Sequence, residues 1–223
     1  SVHMFQHLVY TLVAPPLMLL GIPGWMAEKL LAGWRLVVVR RLARPLVAGL
    51  IFNVVLVLSH WPVVVDATLR DAAVHLAVHT VLVVTGILMW LPIVSPHPAI
   101  KPLNYPLRMV YLFAQSVVPT VPASFITFAE RPVYRFYAEV PRPWIDVVSD
   151  QQLAGAVMKI GGGLLLWGVI AGVFFRWYAV EDGGIIHDPT PSKLTWDDVQ
   201  AAFDATPAPH EPEHPNPRPR PRR

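Results

Sequence analysis

"HMFQHLVYTLVAPPLMLLG" (residues 3–21) decides the fold. Its apolar residues run almost unbroken and without a charged side chain. About 20 such residues in a helix cross a hydrocarbon layer of about 30 Å. Yet two histidines and a glutamine open the stretch. Ionisable groups are costly in lipid, so a chain that keeps them there marks a functional candidate.

The rest of the sequence repeats the pattern. The chain is 54% hydrophobic and 15% charged, whereas soluble domains are about 25% charged. The reading is an all-α integral membrane protein: a bundle of about five transmembrane helices, at 2–22, 45–61, 72–94, 104–127 and 152–178. Together they form a transmembrane domain over 1–180, and 181–223 form a tail. Pro15-Pro16 in the first span and Pro119 and Pro122 in the fourth are expected to kink them, because proline removes a helix hydrogen bond. The second span is the weakest, being short and holding Asn53.

Residues 24–45, "GWMAEKLLAGWRLVVVRRLARP", mix apolar positions with Lys29, Arg35, Arg40, Arg41 and Arg44. They are expected to form an amphipathic interfacial helix anchored by Trp25 and Trp34. The loop 128–150 carries Tyr134, Phe136, Tyr137 and Trp144 and reads as interfacial. The end of the tail is proline-rich and polar, hence expected to be disordered. A short helix near 192–204, capped by Ser192, is expected ahead of it.

Charge sets the orientation. Thirteen basic residues fall on one side: Lys29, Arg35, Arg40, Arg41, Arg44, Lys101, Arg108, Arg176, Lys193 and four tail arginines. Four fall on the other: Arg70, Arg131, Arg135 and Arg142. The excess of Lys and Arg on cytoplasmic loops then places the tail in the cytoplasm and the start of the chain outside. This topology explains the net charge of +3, and no nucleic-acid partner is implied. Cysteine is absent, which excludes disulfides and thiolate chemistry.

The histidines gather in one leaflet. His3 and His7 lie at the outer end of span one, His60 at the outer end of span two, and His75 and His79 at the outer end of span three. Each i,i+4 pair puts two imidazoles on one helix face. Facing pairs could offer three or four nitrogen ligands, and imidazole suits copper, zinc, iron and nickel. Met4 sits beside the first pair, and Met158 lies at a similar depth in span five. Thioether sulfur favours Cu(I). Asp150 and Gln6 are candidates to orient a ligating imidazole through its second nitrogen. Isolated interfacial histidines are ordinarily polar tips at headgroup level, and methionine in a span is ordinarily packing.

Three other features point to less. Lys159, the one charge well inside a span, has stem enough to snorkel outward. Gly161-Gly162-Gly163 lie mid-span and fit close helix packing. "HEPEH" (210–214) matches a zinc-protease pattern that requires a helix, and Pro212 within it forbids one. His97 stands apart at the cytoplasmic side.

"HMFQHLVYTLVAPPLMLLG", "HWP" (60–62), "HLAVH" (75–79) and "DQQLAGAVM" (150–158) resemble the CtaG-type assembly proteins of caa3-type cytochrome c oxidases, over about residues 1–180. The resemblance implies a multi-span protein of the bacterial plasma membrane, needed to mature a haem–copper oxidase by delivering copper to its catalytic centre. The matching positions are His3, Met4, His7, His60, His75, His79, Asp150 and Met158. Members of that family carry a further span ahead of this segment, so the expectation is that the sequence begins inside a longer protein.

The expected function is therefore an assembly factor, not an enzyme. It would hold Cu(I) and pass it to the oxidase subunit that carries the haem–copper centre. Two rivals come from other classes: a haem-binding membrane cytochrome, and a copper permease. A permease needs polar or thioether groups through the full depth, and the inner leaflet offers few beyond Asn53, Met109 and Gln115.

Overall fold

Side-chain caps and prolines set the helix starts. Asp71 accepts hydrogen bonds from the amides of Ala73 and Val74 at 2.7 and 3.3 Å. Asp146 accepts from Val148 and Ser149 at 3.0 and 3.4 Å, and Asn104 from Leu107 at 3.1 Å. Each satisfies amides that a helix start leaves open. Pro45 and Pro62 stand in the first turn of their helices, where a missing N–H costs nothing.

The structure, a computed structural model, describes residues 1–134, 136–137, 145–186 and 196–205, without the side chains of 182–186, 197–198 and 201. It runs α1 (Val2–Gly21), α2 (Gly24–Leu30), α3 (Trp34–Leu42), α4 (Pro45–Ser59), α5 (Pro62–Arg70), α6 (Ala72–Trp90), α7 (Tyr105–Thr127), α8 (Val147–Glu181) and α9 (Trp196–Asp204). No strand occurs among the described residues. The chain is an all-α, multi-pass membrane protein. Four helices (α1, α6, α7 and α8) are long and apolar enough to cross a bilayer. A fifth crossing is possible only through α3 and α4 together, which meet at a bend of 77°. Alone, the 15 residues of α4 reach about 22 Å at about 1.5 Å per residue.

The single amphipathic helix expected at 24–45 is two short helices instead. Gly33 breaks it, with φ at +64°, a region that glycine enters without a Cβ penalty. Residues 62–70 form α5 rather than a plain loop. The Ser192 cap, Trp144 and the tail segment with His210 and His214 lie outside the described residues.

Proline acts as expected in α1. Pro15 and Pro16 have no N–H to return to the preceding turn, and residues Val9–Val13 widen into a π turn. In α7 the helix is interrupted between Val117 and Thr120, at Pro119.

The chain divides into Ser1–Tyr178 and Ala179–Arg223. In the first unit α4 lies along α6, α1 against α6 and the π turn of α8, and the start of α8 against the end of α7. Phe52, Leu82, Met89, Trp90 and Leu112 are almost fully buried. Glycines let the helices close. A Cβ on Gly86 would stand 3.0 Å from the Thr11 carbonyl, and one on Gly155 would stand 2.8 Å from the Ala123 carbonyl. The outward surface is apolar, with Leu46, Leu76, Phe125, Leu164 and Phe175 all exposed, as a chain solvated by lipid requires. The second unit contains α9, which exposes Trp196 and Phe203.

Candidate metal centre

One end of the first unit collects the start of α1, the end of α4, α5, the start of α6, the end of α7 and the start of α8. The Asp71 cap begins α6 just before His75, so both α6 histidines sit in its first turns. His3 and His7 lie one turn apart on α1.

Side-chain geometry brings these pairs together. His7 Nε2 lies 3.0 Å from His3 Nε2. The His7 and His79 ring centres are 4.4 Å apart, and those of His3 and His79 are 5.3 Å apart. His3, His7 and His79 each present a ring nitrogen, all within 4.8 Å of one another. His75 stacks on His79 at 4.3 Å with an interplanar angle of 11°, and its ring centre lies 5.4 Å from that of His3. His60 flanks His7 at 6.1 Å. All five imidazoles are half-buried.

This spacing fits a small cation. Metal–nitrogen bonds of about 2.0 Å in a tetrahedral or trigonal array put the ligand nitrogens about 3.3–3.5 Å apart. The His3–His7 pair already stands within a few tenths of an ångström of that. The contact also has a proton requirement. Two nitrogens 3.0 Å apart share one hydrogen in the metal-free state, donated from one ring to the lone pair of the other. Binding both to one cation requires that hydrogen to leave the interface and each ring to carry its proton on Nδ1.

His60 is oriented differently. Its Nδ1 lies 2.7 Å from the Leu56 carbonyl, which can only accept, so Nδ1 carries the proton and Nε2 the lone pair. A ring nitrogen committed to a backbone carbonyl is the usual support for a metal-ligating histidine.

Two cavities adjoin the cluster. The outer holds about 290 Å³ and is lined by His3, Met4, His7, His60, His79 and Asp150, among others. The inner holds about 40 Å³ and reaches from Met4, His7 and His60 to Met158 and Lys159. Asp150 Oδ1 lies 3.0 Å from the Ser1 amino group. The Gln6 side chain stands beside His3. His97 is buried beyond the far end of α6, where its Nδ1 accepts from the Ala99 amide at 3.1 Å.

One set of contacts ties together segments some twenty residues apart. Gln151 is buried; its Oε1 accepts from the Val133 amide at 2.7 Å and its Nε2 donates to the Arg131 carbonyl at 3.4 Å. Gln152 donates to the Ala129 carbonyl at 3.1 Å. The "DQQ" stretch therefore fixes the segment after α7 over the outer cavity. Tyr134 of that segment is buried, lines the cavity and donates to the His60 carbonyl at 3.2 Å. Burial, with Tyr137 and Asp66 nearby, pushes its hydroxyl pKa up to about 12. Aromatic residues in an interfacial loop carry no mark that one of them turns inward. Gln151 and Gln152, in the second turn of α8, were the available hint.

Fold and site together define a class: a multi-pass helical membrane protein with an imidazole cluster at one end of its bundle. Comparison with curated proteins gives no match, and neither does comparison with solved structures. The model of the family described as cytochrome c oxidase caa3 assembly factor (Caa3_CtaG) matches residues 1–179. The chain belongs to that family of oxidase assembly factors.

Proposed function

We propose that the protein carries copper as cargo at the imidazole cluster and passes it, by ligand exchange, to the oxidase subunit that holds the haem–copper centre. The observation that carries this reading is the convergence of His3, His7 and His79, from two helices, on one point. His75 and His60 flank them, and Met4 and Met158 lie on the adjoining cavities. Imidazole and thioether donors together suit Cu(I) better than zinc or iron. Neutral ligands add no charge to the site and exchange readily, as a donor of cargo requires.

Gln6 and Asp150 serve as positioning residues at the rim. The cargo is carried without chemical change, so the protein acts as a metallochaperone rather than an enzyme. The membrane is the bacterial plasma membrane. The histidine end faces outward and the arginine-bearing helices α2 and α3 face the cytoplasm, with the tail, following the charge asymmetry. A permease is less well supported. The inner-half amides spend hydrogen bonds on each other, Asn53 Nδ2 donating to Gln115 Oε1 at 2.7 Å.

Metal analysis of purified protein under reducing conditions tests the reading, with wild type beside a His7→Ala/His79→Ala variant. The wild type is expected to retain stoichiometric copper, and the variant to lose it while the oxidase matures without copper at its centre. Equal copper in both proteins would sink the proposal, and so would a strong Soret band in the wild type.

A further inference from the structure

Met4, His7 and His60 line both cavities at once. The outer cavity opens on His3 and His79; the inner is much smaller and ends on Met158 and Lys159. We infer that the inner cavity is a second copper station, built from the Met4 and Met158 thioethers and the His60 imidazole. It accepts Cu(I) and refuses dications, and His7 stands between it and the outer cluster. The inference rests on the reading of that cluster as a copper site.

Size is the first support. A cavity of about 40 Å³ has ample room for an ion among the side chains that line it. Construction is the second. Met158 is 5% exposed and lies in the π turn Val157–Gly161 of α8. That turn meets α1 closely. A Cβ on Gly161 or Gly162 would stand 3.0 or 3.3 Å from the Leu8 methyls, so the two glycines let the thioether approach the α1 side of the cavity. His60, also part of the lining, has spent Nδ1 on the Leu56 carbonyl at 2.7 Å, which leaves Nε2 as its only ligating atom.

The softness of the donors supplies the selectivity. Thioethers favour Cu(I) over Zn(II) or Cu(II). Lys159 lines the same cavity. Its Nζ lies 3.5 Å from Ser124 Oγ and 5.7 Å from the centre of the Phe128 ring. No carboxylate lines the cavity among the described residues. The outer imidazoles accept several metals, whereas the inner station sorts among them. Passage between the two exchanges one neutral ligand for another and leaves copper as Cu(I), so no electron or proton donor is needed.

The test is an anaerobic Cu(I) titration of the purified full chain against a coloured Cu(I) chelator, with copper K-edge X-ray absorption on the loaded protein. The expected result is two equivalents of Cu(I), one of Zn(II), and sulfur scattering in the Cu(I) spectrum. Met158→Leu and, separately, Met4→Leu should each lose one Cu(I) equivalent and the sulfur signal while keeping the other equivalent. Leucine replaces methionine at nearly constant volume, so the fold is retained. Variants that keep both equivalents, or a loaded wild type without sulfur scattering, overturn the inner station and leave the outer copper site standing. Two equivalents of Zn(II) overturn its selectivity. A protein that takes up no copper overturns the inner station and the proposed function alike.

Discussion

The two ends of the bundle spend their polar residues in opposite ways. Toward the arginine end, most polar groups serve structure, although Asn53 Oδ1 and Trp90 Nε1 are buried without a partner. Arg108 donates to the Leu103 carbonyl at 2.6 Å, the Tyr111 hydroxyl to the Met89 carbonyl at 3.0 Å, and Asn53 to Gln115. At the histidine end, five imidazoles are crowded beside a cavity, and His3, His7 and His79 aim nitrogens at a common point. A membrane protein that kept histidines only to anchor itself at the headgroups would have no reason to aim them at one another. The contrast separates groups that hold the fold from groups kept available for a ligand.

Substitutions can break or sharpen that contrast. The largest effect is expected at the cluster. His79→Ala should weaken copper binding by more than about 100-fold, the upper range for losing an outer partner of a metal ligand, with thermal unfolding little changed. His97→Ala should leave copper affinity unchanged. Equal losses from both, measured by chelator competition, would erase the distinction between the ends.

Next comes Gly155→Ala, which pushes a Cβ into the Ala123 carbonyl and the backbone at Thr127. Backbone cannot yield as a flexible side chain can, so destabilisation of about 1–3 kcal/mol is expected in thermal unfolding. Copper retention should fall with it, because α8 carries Gln151 and Met158. Asn53→Leu should cost about 1 kcal/mol, since Gln115 loses its donor, and polar contacts between membrane helices are worth little more. Its copper stoichiometry should match wild type. A large copper loss in Asn53→Leu would mean that the two ends are coupled.

The smallest effect is expected from Tyr134→Phe, which removes the hydrogen bond to the His60 carbonyl and about 1 kcal/mol. The wild-type bond also has a pH window. The folded hydroxyl holds its proton to about pH 12 and the unfolded one to about 10. The contribution is therefore complete below pH 10 and is lost as pH rises through 12. Thermal stability measured against pH should fall across that window in wild type and less steeply in Tyr134→Phe.

Much of this was legible in the sequence. Helix geometry alone says that residues i and i+4 share a face, so each histidine pair was readable. Pro15-Pro16 announced the break that appears as the π turn in α1. What sequence cannot give is which faces meet. The approach of α1 to α6 depends on Gly86 lying against the Thr11 carbonyl, and a lone glycine in an apolar run does not advertise that. The π turn at Met158 has no proline to signal it. Gly33 does not stand out inside 24–45, where charges on either side continue the amphipathic pattern, yet its positive φ ends the helix. The inward turn of Tyr134 depends on Gln151 and Gln152 binding backbone some twenty residues away, a long-range contact without local periodicity.

The most direct measurement is copper K-edge X-ray absorption on Cu(I)-loaded protein, read for multiple scattering from imidazole rings. The wild type should show a shell dominated by imidazole nitrogen. His7→Ala/His79→Ala should lose more than half of that signal, and His97→Ala none of it. Undiminished imidazole scattering in the double variant would mean that the metal sits elsewhere, and the convergence of His3, His7 and His79 would have no bearing on copper.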